Sequence, residues 1–426
     1  MKKKKTAARA RQNGSLSAPL PAALICCFPV LAGISRAQEV LIPSPAYSVV
    51  PPALQQYQTN EMDVFPTAET TADHPSEMPP FQSGPVSLRP HAFYRFISAT
   101  GIPSGTNHVA TLIQEVSPGM RADIGSHWAL DYTPTWRYYS NRQFRDTLDH
   151  NVILTGGTAY EDWVLGLTQS YISSSTPLVE TGTQTDTQSW LTDLKASCQF
   201  NSKMTMDLAL DQNIVSADTL ASYREWSTLD WLNYQFGPRL DTGLGAGLGF
   251  VNVDTGSNMT YEQLQARVRW RATDKISFQV HGGLEDRQFL GGSAGSLLNP
   301  VAGGMIQYQP FEFTKLSLTM DRTVDVSYFQ NQVTEGFEIV GNLNQRLLQR
   351  LYLDLSGGYH TVKYVAANAS GTGRQDDYYT LDVRLSCPFL KRGTAAVFYQ
   401  YSDNSSSIHG FTFSSSQVGF EIGWRF

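Results

Sequence analysis

The sequence predicts an all-β fold, a transmembrane antiparallel β-barrel of 16 to 18 strands with short turns at one end. Three observations support this prediction. From about residue 89 onward, the chain is a succession of segments in which apolar and polar residues alternate, as expected of strands with two different faces. Short turns and longer polar links separate these segments in alternation. The last segment alternates up to an aromatic residue at the C-terminus.

The composition and hydropathy pattern argue against a helical membrane protein. Charged residues make up 16% of the 426 residues, below the roughly 25% of an average soluble domain, while aromatic residues reach 12%. The long apolar run, residues 22–34, is shorter than the roughly 20 residues that a spanning helix needs. Strands therefore have to carry any membrane crossing.

Residues 1–37 have the organisation of a secretory signal peptide. The basic segment Lys2 to Lys5 precedes the apolar run, and Ser35 and Ala37 supply small residues before a cleavage point. Cleavage after Ala37 removes seven Lys and Arg and no Asp or Glu, which changes the formal net charge from −6 to −13. Such an acidic mature chain is not expected to bind nucleic acid.

Residues 38–87 differ in composition from the rest of the chain, because nine prolines are interspersed with acidic residues. Such a segment cannot sustain a helix or a strand ladder, so we predict an extended or disordered periplasmic extension. A plug or a docking strap are the alternatives. The barrel itself is predicted to span residues 88–426.

Residues 276–281 show the strand pattern clearly, since Ile276, Phe278 and Val280 alternate with Ser277, Gln279 and His281. A soluble β-sandwich shares this alternation. The segments here are long enough to cross a bilayer at a tilt, and their polar faces carry several charges, which favours the barrel. We count 18 strands, an even number that leaves both termini in the periplasm. Sixteen is the alternative, because the first hairpin has the weakest pattern.

The terminal strand carries the most specific signal in the chain. Phe420, Ile422, Trp424 and Phe426 alternate with small and charged residues, and Phe426 ends the sequence. This strand resembles the C-terminal signal that the outer-membrane barrel assembly machinery recognises. The resemblance implies an outer-membrane location and an interaction with that machinery during assembly.

A second resemblance lies in Val116-Ser117-Pro118-Gly119-Met120 and in the segment from Leu130 to Asn141. These residues resemble the opening strands of a β-barrel porin family that often accompanies exopolysaccharide genes. The match covers about 30 residues. It implies a fold and a location, together with a link to polysaccharide export, but brings no catalytic or binding residues to this chain.

Charged side chains on the predicted inner faces are the candidate pore-lining residues. Arg267, Arg269 and Arg271 alternate along one strand, and Asp321 and Asp325 follow on a strand farther round the wall. Opposed charges of this kind would set up a field across the lumen and determine ion preference. The alternative is that these charges solvate the lumen or pair across strands without conferring selectivity.

Enzymatic and metal-dependent functions find little support in the sequence. The histidines His150, His281, His360 and His409 have no companion motif of a catalytic site, and no Cys or His pair shows metal-ligand spacing. We therefore predict no enzyme activity, no metal and no cofactor.

The outer wall is expected to carry aromatic belts at the two membrane boundaries. The candidates are Trp128, Trp136, Tyr138, Trp163, Trp231, Tyr352, Tyr399, Tyr401 and Trp424. Arg322 is an exception on this wall, because it falls in phase with Leu316, Leu318 and Met320 on the lipid side. A β-bulge or a position near the headgroups would accommodate it.

These observations predict a porin or porin-like channel for small hydrophilic solutes, and they leave open a role in the passage of an exported polysaccharide. The expected partners are outer-membrane lipid, lipopolysaccharide, the assembly machinery and the solute, and an oligomer is compatible with the sequence. The alternative function is a non-transporting barrel that serves as an anchor or docking platform. The connecting loops are expected to be too short to fold inward as a constriction.

Overall fold

The protein's structure, a computed structural model, describes residues 81–218, 220–290, 295–366 and 373–425. The predicted signal peptide, residues 38–80 and Phe426 lie outside this part of the chain. No helix among the described residues is long and apolar enough to cross a membrane. The strands are β1 (Phe81–Ser83), β2 (Val86–Ser104), β3 (Asn107–Ile124), β4 (Trp128–Tyr139), β5 (Thr147–Tyr160), β6 (Trp163–Pro177), β7 (Gln184–Asn201), β8 (Met204–Ala217), β9 (Tyr223–Gly237), β10 (Leu240–Val253), β11 (Asn258–Thr273), β12 (Ile276–Leu290), β13 (Ser296–Phe311), β14 (Thr314–Val326), β15 (Gln332–Leu347), β16 (Leu351–Ala366), β17 (Arg374–Phe389), β18 (Gly393–Ser406) and β19 (Phe413–Arg425).

Eighteen of these strands form one closed antiparallel wall. Each strand from β2 to β19 pairs with the next along the chain, and β19 closes the circle by pairing with β2 from Ser416 opposite Thr100 to Arg425 opposite His91. The short β1 forms a hairpin with the start of β2. The predicted 18-strand barrel is therefore confirmed, with β2 beginning at Val86, two residues before the expected start of the barrel.

The two ends of the barrel differ in their connections. At one end, here called the turn end, adjacent strands are joined by two or three residues, as in 202–203 and 238–239. At the other, the loop end, most links are longer, as in 140–146 and 178–183. Short turns lie on the periplasmic side of outer-membrane barrels and longer loops on the outer side.

The two faces of the wall follow the predicted alternation. On β11, Leu264 and Val268 are exposed on the outer face, whereas Gln265 and Arg267 are buried inside. A closed wall leaves no unpaired sheet edge in lipid, and an apolar exterior around a polar lumen is the architecture of an outer-membrane β-barrel. The predicted outer-membrane location is confirmed on that ground.

The terminal strand β19 packs against the first long strand by aromatic contacts on the outer face. The ring of Phe420 lies 5.7 Å from that of Phe96 and 6.0 Å from that of Tyr94, both on β2. Ile422 is exposed on the same face. These residues of the predicted assembly signal thus lie at the seam that closes the barrel.

Two residues predicted to lie on the outer wall, Arg322 and Trp231, point in opposite directions. Arg322 does point outward, and its side chain is 40% exposed with Nη2 3.8 Å from Oε2 of Glu335. The pairing of β14 with β15 has no register shift, and that of β13 with β14 shifts only near the turn end, so a bulge does not explain Arg322. Trp231, expected in an aromatic belt, was wrongly placed, because its ring lies beneath the guanidinium of Arg267 on the inner face.

Candidate pore and its constriction

The inner wall of β9 to β11 is organised around Arg267. Its Nη2 donates to Oδ2 of Asp207 at 2.6 Å, and its Nε donates to Oδ1 of Asn233 at 2.9 Å. The guanidinium carbon lies 4.4 Å from the centre of the Trp231 ring. To reach β8 and β9, the side chain crosses β10 at Gly243, where an added Cβ would lie 3.1 Å from the Arg267 side chain. Glycine at this position therefore lets the arginine lie flat on the wall.

The other two arginines of the predicted ladder have different surroundings. Arg269 donates from Nη2 to Oδ2 of Asp241, its direct neighbour on β10, at 2.7 Å. Arg271 is exposed near the turn end of β11. The structure thus places Arg267 and Arg269 on the inner wall but pairs each with a carboxylate, and such pairing compensates most of the positive field that a free ladder would produce.

Asp321 and Asp325 lie on the inner face of β14, where they line a recess with Glu338 and His360. Asp321 is directly opposite Glu338 on β15, and Glu338 is directly opposite His360 on β16. Like charges in directly opposed positions destabilise a sheet. This stretch therefore concentrates negative charge on one side of the lumen.

A second buried ion network holds the wall from β3 to β5. The guanidinium of Arg137 is fully buried, and it donates to Oε1 of Glu115 at 2.6 Å and to Oδ2 of Asp149 at 2.8 Å. Arg95 shares Glu115 at 3.5 Å and also approaches Glu421 at 3.5 Å. Buried charges persist only when paired, so this network belongs to the wall rather than to a mobile lumen lining.

The link between β6 and β7, residues 178–183, crosses the lumen at the loop end; it is called the crossing hairpin below. The carbonyl of Gly182 accepts a hydrogen bond of 2.9 Å from the amide of Gly105 at the β2–β3 turn. Glu180 Oε1 accepts from the hydroxyl of Ser327 at 2.6 Å and from the amide of Tyr328 at 3.0 Å. These partners belong to links at different positions round the barrel, β2–β3 and β14–β15.

The link between β14 and β15, residues 327–331, also folds inward and meets the crossing hairpin. The carbonyl of Tyr328 accepts from the amide of Ala221 in the β8–β9 link at 3.0 Å. Oδ1 of Asn331 accepts from the amide of Ser257 in the β10–β11 link at 2.8 Å. Two hairpin tips from well-separated parts of the wall therefore meet over the lumen.

Arg374, at the start of β17, clamps the crossing hairpin from the β17 side of the lumen. Its Nη1 donates to the carbonyl oxygen of Glu180 at 2.7 Å, and Nη2 forms an ion pair with Asp376. The guanidinium lies over the rings of Phe411 and Tyr364, at 3.6 and 4.6 Å from their centres. Stacking on two rings and bonding to a main-chain carbonyl fix the position of the hairpin tip.

Apolar clusters pack against the crossing hairpin on both of its sides. Leu178 joins one buried cluster and Val179 another. The first cluster also contains Val215, Ala217, Tyr223, Val251, Met259, Tyr261, Phe289, Val324, Val326, Tyr328 and Val333. The second also contains Ile97, Ala99, Ile102, Ile113, Tyr139, Phe144, Tyr378, Phe398 and Phe413. Consecutive residues of one short link thus bridge two apolar clusters inside the barrel.

The expectation that no loop folds inward is therefore wrong. The link itself is short, but the upper ends of β6 and β7 carry it over the lumen, with Thr176 and Pro177 already buried. The sequence does contain a signal for this, since Leu178 and Val179 are an apolar pair within a link of otherwise polar residues. Apolar residues in a solvent-exposed loop would gain nothing, so such a pair indicates burial.

The carboxyl group of Glu180 is an unusual buried group in this seal. Its removal from water raises the pKa of Glu180 to about 7, although the bonds from Ser327 and Tyr328 and the nearby Arg374 oppose the shift. Among the described residues, the second carboxyl oxygen, Oε2, has no hydrogen-bond partner. A protonated carboxyl fits this environment better than a carboxylate does.

Within the described parts of the chain, no group of three or more His, Cys, Asp or Glu side chains is arranged to hold a metal ion. The candidate site is thus a charged lumen whose mouth is crossed by two hairpin tips. Opposed wall charges and polar side chains of this kind are the groups that line a path for polar solutes.

No family model and no curated protein matches the sequence. Several solved structures are similar in fold. OpdK of Pseudomonas aeruginosa with vanillate matches at 11% identity and a TM-score of 0.43, over 80% of this chain and 99% of that one. OccAB3 of Acinetobacter baumannii matches at 9% identity and 0.45, over 80% and 99%. OccK2 (OpdF) of P. aeruginosa matches at 11% identity and 0.46, over 80% and 98%. At these identities and scores, the likenesses say nothing about what this chain transports.

Proposed function

We propose that the chain is an outer-membrane porin-like channel for small hydrophilic solutes, closed at the loop end by the crossing hairpin. The contact between Glu180 and the β14–β15 tip is the observation on which this proposal rests most. An 18-strand wall encloses enough room for a water-filled path. The tips of the β6–β7 and β14–β15 hairpins form the barrier across that path. Their movement would not break the hydrogen bonds between the strands of the wall.

The lumen below the seal supports passage of polar solutes. A cavity of about 290 Å³ is lined by charged and amide side chains, including Arg95, Asn342, Asp354, Arg384 and Glu421. Mixed charges of both signs can exchange solute contacts for water contacts along the path, which keeps binding weak enough for release.

Conductance of the mature chain, residues 38–426, in a planar bilayer tests the proposal. A matched variant replaces residues 178–183 by a short Gly-Ser turn, which leaves every barrel strand in place. We expect small or rare current steps from the unmodified barrel and larger, persistent steps from the variant. Heat-modifiable migration in gels establishes in both cases that the barrel has folded.

Silence from both folded proteins would overturn the channel proposal and favour the second candidate, a barrel that serves as an anchor or docking platform. The apolar seal on both sides of the crossing hairpin is the observation that favours this candidate. A role in polysaccharide export, which the sequence resemblance implies, predicts in addition that a soluble polysaccharide blocks the current of the variant with the shortened hairpin.

A further inference from the structure

The short strand β1 fixes the point at which residues 38–80 join the wall. It pairs with β2, with Phe81 opposite Leu88. β3 covers one edge of this part of β2, and on the other edge the pairing with β19 ends at Arg425, opposite His91. β1 therefore takes the edge of β2 that β19 leaves free. The segment before Phe81 thus joins the wall at the turn end, beside the end of β19.

The turn end carries a concentration of positive charge next to this point, called the basic arc below. The arc comprises the β13–β14, β15–β16 and β17–β18 turns, each with three strand residues on either side, and the described end of β19. Its basic residues are Lys315, Arg346, Arg350, Lys391, Arg392 and Arg425, and its acidic residue is Glu312. The five turns from β3–β4 to β11–β12, taken in the same way, hold four Lys and Arg but five Asp and Glu. Positive charge is therefore confined to the sector beside β1.

Three side chains of the basic arc lie on the lumen side of the wall. Lys315 is directly opposite Asn344, and Arg346 follows Asn344 by two residues on β15. Arg425 follows Glu421 by four residues on β19. Asn344 and Glu421 line the lumen cavity described above, and residues two or four apart on a strand share a face. The arc thus faces the turn-end mouth of the lumen rather than the lipid outside.

Two arginines of the basic arc have no acidic partner. Among the described residues, neither Arg346 nor Arg350 takes part in an ion pair. Both side chains belong to exposed residues, as do those of Lys391 and Arg425. Clustered charges of one sign create a potential that attracts a segment of the opposite sign.

Residues 38–80 have that opposite sign. They contain no Lys or Arg and six acidic residues, Glu39, Glu61, Asp63, Glu69, Asp73 and Glu77. A wall of 18 strands, spaced by about 4.8 Å and tilted by about 40°, has a mouth on the order of 35 Å across. An extended chain covers up to about 3.3 Å per residue, so this segment is long enough to follow the whole arc.

We propose that residues 38–80 dock on the basic arc and lie along the turn-end mouth as a strap. Charge complementarity and the position of β1 together select this segment as the occupant. Exposed ion pairs are individually weak, but the covalent connection to β1 gives the segment a high effective concentration at the arc. The contact does not require that the barrel conducts, and it should weaken with salt because exposed charges are screened.

Disulfide cross-linking in the refolded mature chain tests the docking. With Cys198 and Cys387 replaced by Ala, Thr70→Cys is combined either with Gln349→Cys in the β15–β16 turn or with Asp162→Cys in the β5–β6 turn. The two turns lie at similar numbers of strands from β1, on opposite sides of it. At about 0.1 M salt we expect an intramolecular yield at least about fivefold higher with Gln349→Cys, and this preference should shrink at about 1 M salt. Equal yields at the lower salt concentration would overturn the proposal and leave the arc to anionic lipid headgroups.

A second measurement addresses the charges themselves. Replacing the six acidic residues of the segment by Asn or Gln should lower the Gln349→Cys yield to that of Asp162→Cys. The changes all precede β1, and heat-modifiable migration establishes that the barrel has folded. Arg346→Ser combined with Arg350→Ser should lower the same yield from the side of the wall. A yield that neither set of changes lowers in the folded barrel would contradict docking by charge.

Discussion

Glu180 and Ser327 share a hydrogen bond of 2.6 Å although 147 residues separate them in the chain. They belong to hairpins that leave the wall eight strands apart in a closed circle of eighteen. A bond between them can form only over the lumen, so it reports directly on whether the mouth is closed.

The buried carboxyl of Glu180 should make the closed mouth sensitive to pH. Because burial raises the pKa of Glu180 to about 7, its contribution to the closed arrangement is fully present below the ordinary pKa of about 4.5 and is lost as the pH rises through about 7. Fully expressed, a shift of this size corresponds to roughly 3 kcal/mol. We expect conductance to rise between about pH 5 and about pH 9, measured in planar bilayers.

The variant Glu180→Gln is the matched control for this pH dependence. The amide side chain keeps an acceptor oxygen for Ser327 and Tyr328 but cannot ionise, so conductance should stay low across the same pH range. A pH response of the same size in the unmodified chain and in the Glu180→Gln variant would show that another group controls the mouth.

Removing the clamp should loosen the crossing hairpin. Arg374→Ala deletes the bond to the carbonyl of Glu180 and leaves Asp376 buried without its ion pair. Breaking such a buried pair costs about 3–5 kcal/mol. We expect faster protease cleavage within residues 178–183 and larger currents.

Arg145→Ala provides the control for the clamp experiment. Arg145 pairs with Asp186 near the base of the same hairpin, but its side chain is 68% exposed, and such a surface pair is worth under about 1 kcal/mol. Cleavage rates of the two variants should therefore differ clearly. Equal rates would mean that the clamp contributes no more than a surface pair.

The buried network around Arg137 should dominate the stability of the wall from β3 to β5. Arg137→Met leaves Asp149 without its ion pair and leaves Glu115 with the longer contact to Arg95, which should lower the free energy of unfolding by about 3–5 kcal/mol. Replacing both carboxylates by Leu in the same chain should recover most of this loss, because a buried ion pair can be exchanged for apolar packing. Urea titration in lipid vesicles measures both effects.

Ion selectivity should respond to the partner of Arg267 as much as to Arg267 itself. Arg267→Ser frees the carboxylate of Asp207, so the reversal potential in a salt gradient should move towards cation preference. Adding Asp207→Ser should return it towards the wild-type value. Arg271→Ser, at the exposed turn end, should have the smaller effect. If the double variant Arg267→Ser, Asp207→Ser prefers cations as strongly as Arg267→Ser alone, the released charge of Asp207 does not explain the change in selectivity.

Much of this protein was predictable because its pattern is local. Ile276, Phe278 and Val280 alternate with polar residues whatever the rest of the chain does, so strand positions and their two faces follow from the sequence. The sequence favoured eighteen strands over sixteen, and the structure decided for eighteen. The inward direction of Arg267 follows in the same way. Its partner does not, because Asp207 lies on β8, three strands away, and is reached only across Gly243.

The sequence by itself thus determined a membrane barrel with a polar lumen, an apolar exterior and a C-terminal strand placed to close the wall. The tertiary structure alone decided that two hairpin tips seal the mouth, that Arg267 and Arg269 are compensated by carboxylates, and that Trp231 points inward. The physical reason is closure: bending the sheet into a circle brings Glu180 and Ser327 together across the lumen, and such contacts between distant segments leave no periodic trace in the sequence.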